Sequence, residues 1–453
     1  MNKIYDVVDE YKDLILEAER YIWKNPEPGY KEFKTNKYMA QAFEKLGYKL
    51  TYADGITGFY TTIDTGKKGP TVLVLAELDS LINFSHPECD KETGAVHSCG
   101  HNAQCAALLG LAAALKHKEC LEGLCGKIKL CCVPAEEGIE IGYRKELVKK
   151  GVIRFTSGKA EFISRRYFDD VDVAFMMHTS APDEKCGDKK FKLTRGHNGV
   201  IRKQTTYVGK ASHAGSRPHE GINALNAANL GLLAVNSLRE TFKEEDYVRV
   251  HSIITKGGDA VNAVPDEVMI ESYVRAATSA SMKKANEAVN RALSAAAVAI
   301  GAGLHISDLA GSEPLNEDKN LRQAAFEVFE EIAGKDCYRY VEDWGASSTD
   351  MGDVGSLFPS IHMYTMGSVG TMHGKDYRIV DPYSACVLGA KAELGIIRKL
   401  LLGGGARAKK IKSEFTPVFT SVDEYLEHKS SIDIEQDAVI YNQDGTITVK
   451  YKR

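Results

Sequence analysis

Thr71-Val72-Leu73-Val74-Leu75-Ala76 runs straight into Glu77-Leu78-Asp79. An unbroken apolar run of this length reads as a strand buried on both faces, the kind found inside parallel sheets. Two carboxylates lie at its C-terminal end. The design repeats along the chain. Lys127–Val133 is a second apolar run, and Glu136-Glu137 follow it. Val171–Met177 is a third, followed by His178, and Ile361–Met366 is a fourth, with His373 beyond its end. Stretches with helical character lie at 103–116, rich in Ala and Leu, and at 143–150, 318–333 and 383–402. Upstream, Val8, Tyr11, Ile15, Ala18 and Ile22 keep helical spacing over 7–25 until Pro26, Pro28 and Gly29 stop it. A second helix is expected over 32–46, ended by Gly47, and a strand over 58–64. Strands alternating with helices predict an α/β domain: a mixed, mostly parallel sheet with helices on both faces.

The pattern changes near His197. Strands expected over 199–208, 247–255, 268–276 and 303–307 are interleaved with helices over 224–240 and 282–300. That order, βαββαβ, is the split unit of ferredoxin-like folds. The expected organisation is a larger domain in two halves, 1–196 and 309–404, interrupted by an inserted α+β domain over 197–308. Leu402-Gly403-Gly404-Gly405 reads as a linker. The extension 405–453 carries one hairpin signal, Asp444-Gly445 between alternating runs, and no role is read from it.

A chain of 453 residues with ordinary apolar and charged fractions suits two or three globular domains. The formal net charge of −4 offers nothing for nucleic acid or a membrane surface. No apolar run reaches the length of a membrane span, and the first 25 residues lack the apolar core of a secretory signal. The ten cysteines are scattered, with Cys131 and Cys132 adjacent, and show neither a disulfide framework nor Cys-x2-Cys zinc spacing. A reducing cytoplasm is the expected compartment.

In open α/β sheets, ligands bind in the crevice beyond the carboxyl ends of the strands. Asp79, Glu136, Glu137, His178 and His373 each follow such an end. His97-Ser98-Cys99-Gly100-His101-Asn102 adds a thiol and an imidazole two residues apart, on one side of an extended backbone. A lone Cys-x-His, a loop Glu pair or a strand-end histidine is more often structural than functional. Their common position argues otherwise. Cys, His and Glu ligands in this number exceed the needs of one tetrahedral ion and suit two ions sharing a ligand. Adjacent Glu136 and Glu137 point opposite ways in an extended segment, so one can bind metal while the other faces the cleft as a general base. In the inserted domain, Ser212-His213-Ala214 sits in a polar loop between a strand and a helix. His213 is placed either to donate to an oxyanion or to be an ordinary exposed loop histidine, and the residues alone leave the two even. At their simplest, Asn262 caps a turn and Arg275 is a solvated strand residue.

Taken in order, Cys99-Gly100-His101-Asn102, Glu136-Glu137-Gly138, Met177-His178, Ser212-His213-Ala214, Asn262-Ala263-Val264-Pro265-Asp266 and His373 resemble the zinc exopeptidase and aminoacylase family. The branch is that of the N-acyl-amino-acid amidohydrolases, which includes p-aminobenzoyl-glutamate hydrolase, β-alanyl-lysine dipeptidase and hippurate hydrolase. The resemblance implies a zinc-exopeptidase-like α/β domain with a di-metal site, and an inserted lid domain through which two copies form a homodimer. By motif, it implies Cys99, His101, Glu137, His178 and His373 as metal ligands, Glu136 as general base and Asp79 as the supporting acid. It implies His213 as the lid histidine that reaches the reacting carbonyl, and Asn262 and Arg275 as residues that meet a substrate carboxylate. Glu77 stands where other branches carry a histidine ligand, which leaves His101 to serve. Asn102, with Ser348-Thr349-Asp350 and Asp353, points to the aminobenzoyl-glutamate and dipeptidase sub-branch.

The implied reaction is hydrolysis of the amide of an N-acyl amino acid or dipeptide-like substrate carrying a free carboxylate. Two divalent ions lower the pKa of a bridging water, Glu136 takes its proton, a metal and His213 steady the oxyanion, and Glu136 returns the proton to the leaving amine. Cys, His and Glu donors favour zinc, with manganese, cobalt or nickel as alternatives. An aminobenzoyl-glutamate-type carboxypeptidase is the nearest alternative activity. Two other classes compete: a cysteine hydrolase with Cys99 as nucleophile, which would survive a chelator, and a non-catalytic metal-binding relative, against which Glu136 argues. The expected partner is a small amide or peptide, with no nucleic acid and no membrane.

Overall fold

Thr71–Glu77 is a strand buried along its whole length, near the centre of a sheet. The computed structural model describes residues 3–181 and 186–450. The chain divides into two compact units, one of residues 1–196, 316–343 and 353–422, the other of 197–315, 344–352 and 423–453. The first unit begins with helices α1 (Lys3–Glu10), α2 (Lys12–Trp23) and α3 (Phe33–Lys45). Strands β1 (Thr51–Tyr52), β2 (Phe59–Asp64) and β3 (Thr71–Glu77) follow. Then come α4 (His101–Ala114), β4 (Lys127–Val133), α5 (Ile141–Lys149), α6 (Gly158–Ser164), β5 (Val173–Ser180) and β6 (Phe191–Thr194). The second unit holds β7 (Gly196–Val208), α7 (Ala224–Ser237), β8 (Arg249–Lys256), β9 (Glu267–Ala276), α8 (Ser279–Ile300) and β10 (Gly303–Ser312). The chain returns to the first unit with α9 (Lys319–Ala333), β11 (Tyr338–Val341), β12 (Ser360–Met366), α10 (Leu388–Leu401) and α11 (Ala406–Glu414). It ends in the second with α12 (Val422–Ile432), β13 (Ile434–Tyr441) and β14 (Ile447–Val449).

The first sheet runs β1-β2-β4-β3-β5-β12-β6-β11. Its central strands β4, β3, β5 and β12 are parallel, while β2 and β6 join them antiparallel. This is the expected mixed sheet. The parallel strands are buried almost along their whole length because they are covered on both faces. Helix α4 is buried on every side, packed against β3 and β5 and against helices α2 and α10, which is why its sequence is Ala and Leu with no polar stripe.

Three details differ from expectation. The single helix over 7–25 is two helices, broken at Tyr11, whose hydroxyl lies 2.8 Å from His117 Nε2. Strand β5 continues past Met177, so His178 stands within the strand, opposite Tyr364 of β12. The expected linker at 402–405 is a tight turn. Gly403, Gly404 and Gly405 all have positive φ and lead directly into α11, whose Ala408 and Ile411 are buried in the first unit's core.

In the second unit, the strands β8-β9-β7-β10-β13-β14 pair antiparallel in that order, and the short strand Gly345–Ser348 pairs parallel with the start of β7. Helices α7 and α8 bury Ala227, Ala228, Val289 and Leu293 in a core shared with this sheet. Strands β7 to β10 with these two helices form the split βαββαβ unit. A fully buried Lys203–Asp308 ion pair sits among them, with Asn286 and Asn290 donating to Asp308 at 2.7 and 2.9 Å. The C-terminal segment adds to this sheet: β13 pairs with β10 across Leu304–Asp308, and β14 folds back on β13 after the Asp444-Gly445 turn.

His305 on β10 joins that added strand, with Nδ1 2.8 Å from Asp437 Oδ1 and Nε2 2.9 Å from Glu435 Oε1. Partial burial pulls the imidazole pKa down, but the two carboxylates outweigh it and hold it above the usual histidine value. A raised folded pKa gives stability that is full below the unfolded value and is lost as pH climbs through the folded one. Amide exchange in β13 is therefore expected to accelerate, beyond its intrinsic pH dependence, as pH rises through and above the histidine range. The change is modest, because the pair is partly exposed. An identical acceleration in a His305→Gln variant would show that the histidine is not its source.

Candidate metal centre

The carboxyl ends of β3, β4 and β5 open on one rim of the first sheet, and side chains converge there. Asp79, just beyond β3, is fully buried. Its Oδ2 accepts the Glu137 N–H at 2.9 Å, and its backbone carbonyl accepts His101 Nδ1–H at 2.8 Å. The ring of His101 is thereby fixed with Nε2 as the atom left to bind. Gly100 makes this possible. It caps α4 at φ 102°, and a Cβ there would lie 2.5 Å from the Tyr377 hydroxyl and 2.6 Å from Thr179 Cγ2. Gly100→Ala is expected to cost about 1–3 kcal/mol through backbone strain and overpacking. Thermal unfolding reads the loss, and an unchanged Tm would show that the loop yields freely.

Cys99 Sγ lies 3.5 Å from His178 Nε2, and His178 Nδ1–H donates to the Thr179 carbonyl at 2.6 Å. Burial and the Glu137 carboxylate push the Cys99 thiol up, but the His101 and His178 charges outweigh them and bring it down to about 6. His373 has φ 64°, donates its N–H to Ser98 O at 2.9 Å, and places Nε2 3.3 Å from Glu137 Oε1.

The Glu136-Glu137 loop is tightly held. Ala135 has φ 57°, and its N–H donates to Glu32 Oε1 at 2.9 Å. The buried guanidinium of Arg144, on α5, donates to the carbonyls of Ala135, Thr156 and Glu137. Neither Glu32 nor Arg144 is among the expected site residues. Both lie in stretches that read only as helix, and helical spacing carries no mark of a charged side chain turned inward. Gln104, a partner of Glu77, gives no sequence signal for the same reason, and Lys159, its other partner, lies on a short helix, Gly158–Ser164, that the sequence pattern does not predict.

Ligand atoms of Cys99, His101 and His178 lie within 4.8 Å of one another. So do those of Cys99, Glu137 and His373, and those of His101, Glu136 and Glu137. The first two groups share Cys99. Asp79 Oδ1, His101 Nε2 and Glu137 Oε1 are buried and make no hydrogen bond, although His101 Nδ1, Glu77 Oε2 and His373 Nε2 lie 3.3, 3.1 and 3.3 Å from them in turn. Buried polar atoms are rarely left so. One thiolate, three imidazoles and one carboxylate with such orphaned atoms among them fit two divalent cations sharing the sulfur.

The remaining candidates belong to the second unit. His213 and Asn262 are exposed, and their loops meet: His213 bridges Ala263, and the Ala214 N–H donates to the Asn262 carbonyl at 3.0 Å. His213 Nδ1 accepts the N–H groups of Gly215 and Ser216, both at 3.1 Å. Arg275 does not join them. It lies at the other end of β9, about 30 Å away at roughly 3.4 Å per residue, beside the Tyr273 ring.

Residues 73–399 match the model of Peptidase family M20/M25/M40. The chain belongs to this family. It is 27% identical over 331 residues to a p-aminobenzoyl-glutamate hydrolase chain of Escherichia coli, covering 61% of this chain and 70% of that one. It is 28% identical over 390 residues to the Xaa-Arg dipeptidase of Mus musculus, covering 82% of this chain and 80% of that one. Among solved structures, a dinuclear metal-binding M20 peptidase of Bacillus subtilis shares the fold with a TM-score of 0.62 at 18% identity, covering 87% of this chain and 99% of that one. This M20 chain is a metal-dependent hydrolase of amide bonds, as the motif resemblance implied. The family match stops at 399, so the turn, α11, α12 and the β13–β14 hairpin lie beyond it.

Proposed function

We propose that this M20 enzyme cleaves the amide of an N-acyl amino acid or dipeptide bearing a free carboxylate. Cys99, His101, Glu137, His178 and His373 hold two divalent ions, with Cys99 shared between them, and Glu136 is the general base. The observation that carries the proposal is the pair of ligand groups meeting at Cys99, with Glu136 beside both His101 and Glu137. The ions supply electrophilic polarisation of the carbonyl and a more acidic water. Asp79 fixes His101 and the Glu137 backbone, so the ligand set is organised by hydrogen bonds that metal binding need not make. The thiolate and imidazoles favour zinc. Relatives named for p-aminobenzoyl-glutamate and for Xaa-Arg dipeptides support the substrate class.

The enzyme is a homodimer through the second unit in this reading. There β8 is an outer strand with Ile253 and Ile254 exposed, a ready edge for a second copy. His213 and Asn262, in exposed loops, are the residues of that unit assigned to the substrate carbonyl and carboxylate. Ten free cysteines suit a cytoplasmic setting. Among the described residues, no helix is long and apolar enough to cross a membrane.

A screen of dipeptides and N-acyl amino acids, with elemental analysis of the same samples, tests the proposal. Two ions per chain, and activity abolished by a chelator and restored by metal, are expected. Full activity after chelation would overturn it in favour of Cys99 as a nucleophile.

A further inference from the structure

We infer that Lys159 is a positioning residue that keeps Glu77 out of the coordination sphere, so that His101 rather than Glu77 holds the ion. The inference rests on the two-ion reading above. Glu77 ends β3 two residues before Asp79, so both carboxylates leave the strand on the same side. Glu77 is close enough to compete. Its Oε2 lies 3.1 Å from His101 Nε2, and one of its oxygens is within 4.8 Å of a Glu136 oxygen. A bare carboxylate so placed is a ready ligand for a divalent ion.

Both oxygens are engaged instead. Lys159, wholly buried on α6, forms an ion pair with Oε1. Gln104 Nε2 donates to Oε2 at 3.0 Å, and Gln104 Oε1 accepts the Glu77 N–H at 2.7 Å. Helix α4 therefore presents His101 to the ion and, one turn later, restrains the competitor through Gln104. The Lys159–Glu77 pair is neutral in itself. The Cys99 thiolate and several carboxylates already surround the two-ion site, so a further anion in the first shell has no charge left to neutralise. Removing the lysine leaves Glu77 buried and uncompensated, able to relieve itself only by taking a proton or by turning to the ion.

Cobalt(II)-loaded full-length protein reports the outcome, since its visible spectrum responds to coordination number and its thiolate band to Cys99. Lys159→Met is expected to weaken the visible bands, as a carboxylate enters, and to change the rate of cobalt removal by a chelator by about tenfold or more. Glu77→Gln/Lys159→Met replaces the pair by neutral groups of similar size. It is expected to keep two ions per chain and the wild-type spectrum. Loss of an ion or an altered spectrum in the double variant would make Glu77 itself a ligand and overturn the inference. An unchanged spectrum in folded Lys159→Met would overturn it too. If Lys159→Met does not fold, the double variant decides alone. Failure of the two-ion reading is a different result: wild-type protein with neither stoichiometric cobalt nor a thiolate band.

Discussion

Glu136→Gln is expected to lower kcat by about 10²- to 10⁴-fold, the usual contribution of a positioned general base, while both metal ions stay in place. The two glutamates can be separated in this way because they are adjacent but differently held. Glu137 is buried, its backbone N–H fixed by Asp79 and its carbonyl by Arg144. Glu136 is only half-buried and lies within 4.8 Å of ligand atoms of both His101 and Glu137. The amide of glutamine keeps the shape and can still accept a hydrogen bond. It cannot take a proton from the attacking water or pass one to the leaving nitrogen. The measurements are turnover and metal content on the same sample. Near-normal turnover would remove Glu136 from the mechanism, and lost metal would recast it as a ligand.

Replacing Cys99 should have the opposite signature. Cys99→Ala removes the one atom common to both ligand groups, so affinity for both ions falls together, by on the order of 100-fold or more, above the 10- to 100-fold cost of losing an outer-shell partner. Hydrolysis falls with metal occupancy and recovers in part at high metal concentration. The same variant leaves His178 Nε2 without its sulfur neighbour and Glu137 facing His373 alone. Elemental analysis after gel filtration reads the stoichiometry. Retention of two ions per chain would show that the sulfur is not shared. One ion retained would assign Cys99 to a single metal.

Much of this arrangement can be read from the chain because the strands advertise themselves. Four short apolar runs, three of them followed within three residues by an acid or a histidine, read as buried parallel strands whose polar ends share a rim. Cys99 and His101 are brought together by the left-handed turn at Gly100 and the first residue of α4, not by the extended backbone that their two-residue spacing suggests. What stays hidden has a common cause. Arg144 and Lys159 are cations turned inward on short helices, and Glu32 is a carboxylate at a helix entrance. Their partners are backbone carbonyls or residues far away in sequence, so no local periodicity reveals them. The break at Tyr11, whose hydroxyl meets His117, carries no proline or glycine to signal it. Glu77 is legible as a departure from a motif, but its engagement by Lys159 and Gln104 is not.

The strand that the C-terminal segment lays against β10 bears on how copies of this chain would assemble in the proposed dimer. A sheet with two open edges accepts a neighbour on each side, and repeated head-to-tail addition grows without limit. Here one flank is extended by β13 and ends in the three-residue strand β14, leaving β8 as the longer of the two edges. In the proposed dimer, pairing along β8 would bring two copies together about a twofold axis, with the short β14 as the outer strand of the far flank. The segment beyond residue 399 would thus set which flank of the sheet offers a long edge to a second copy.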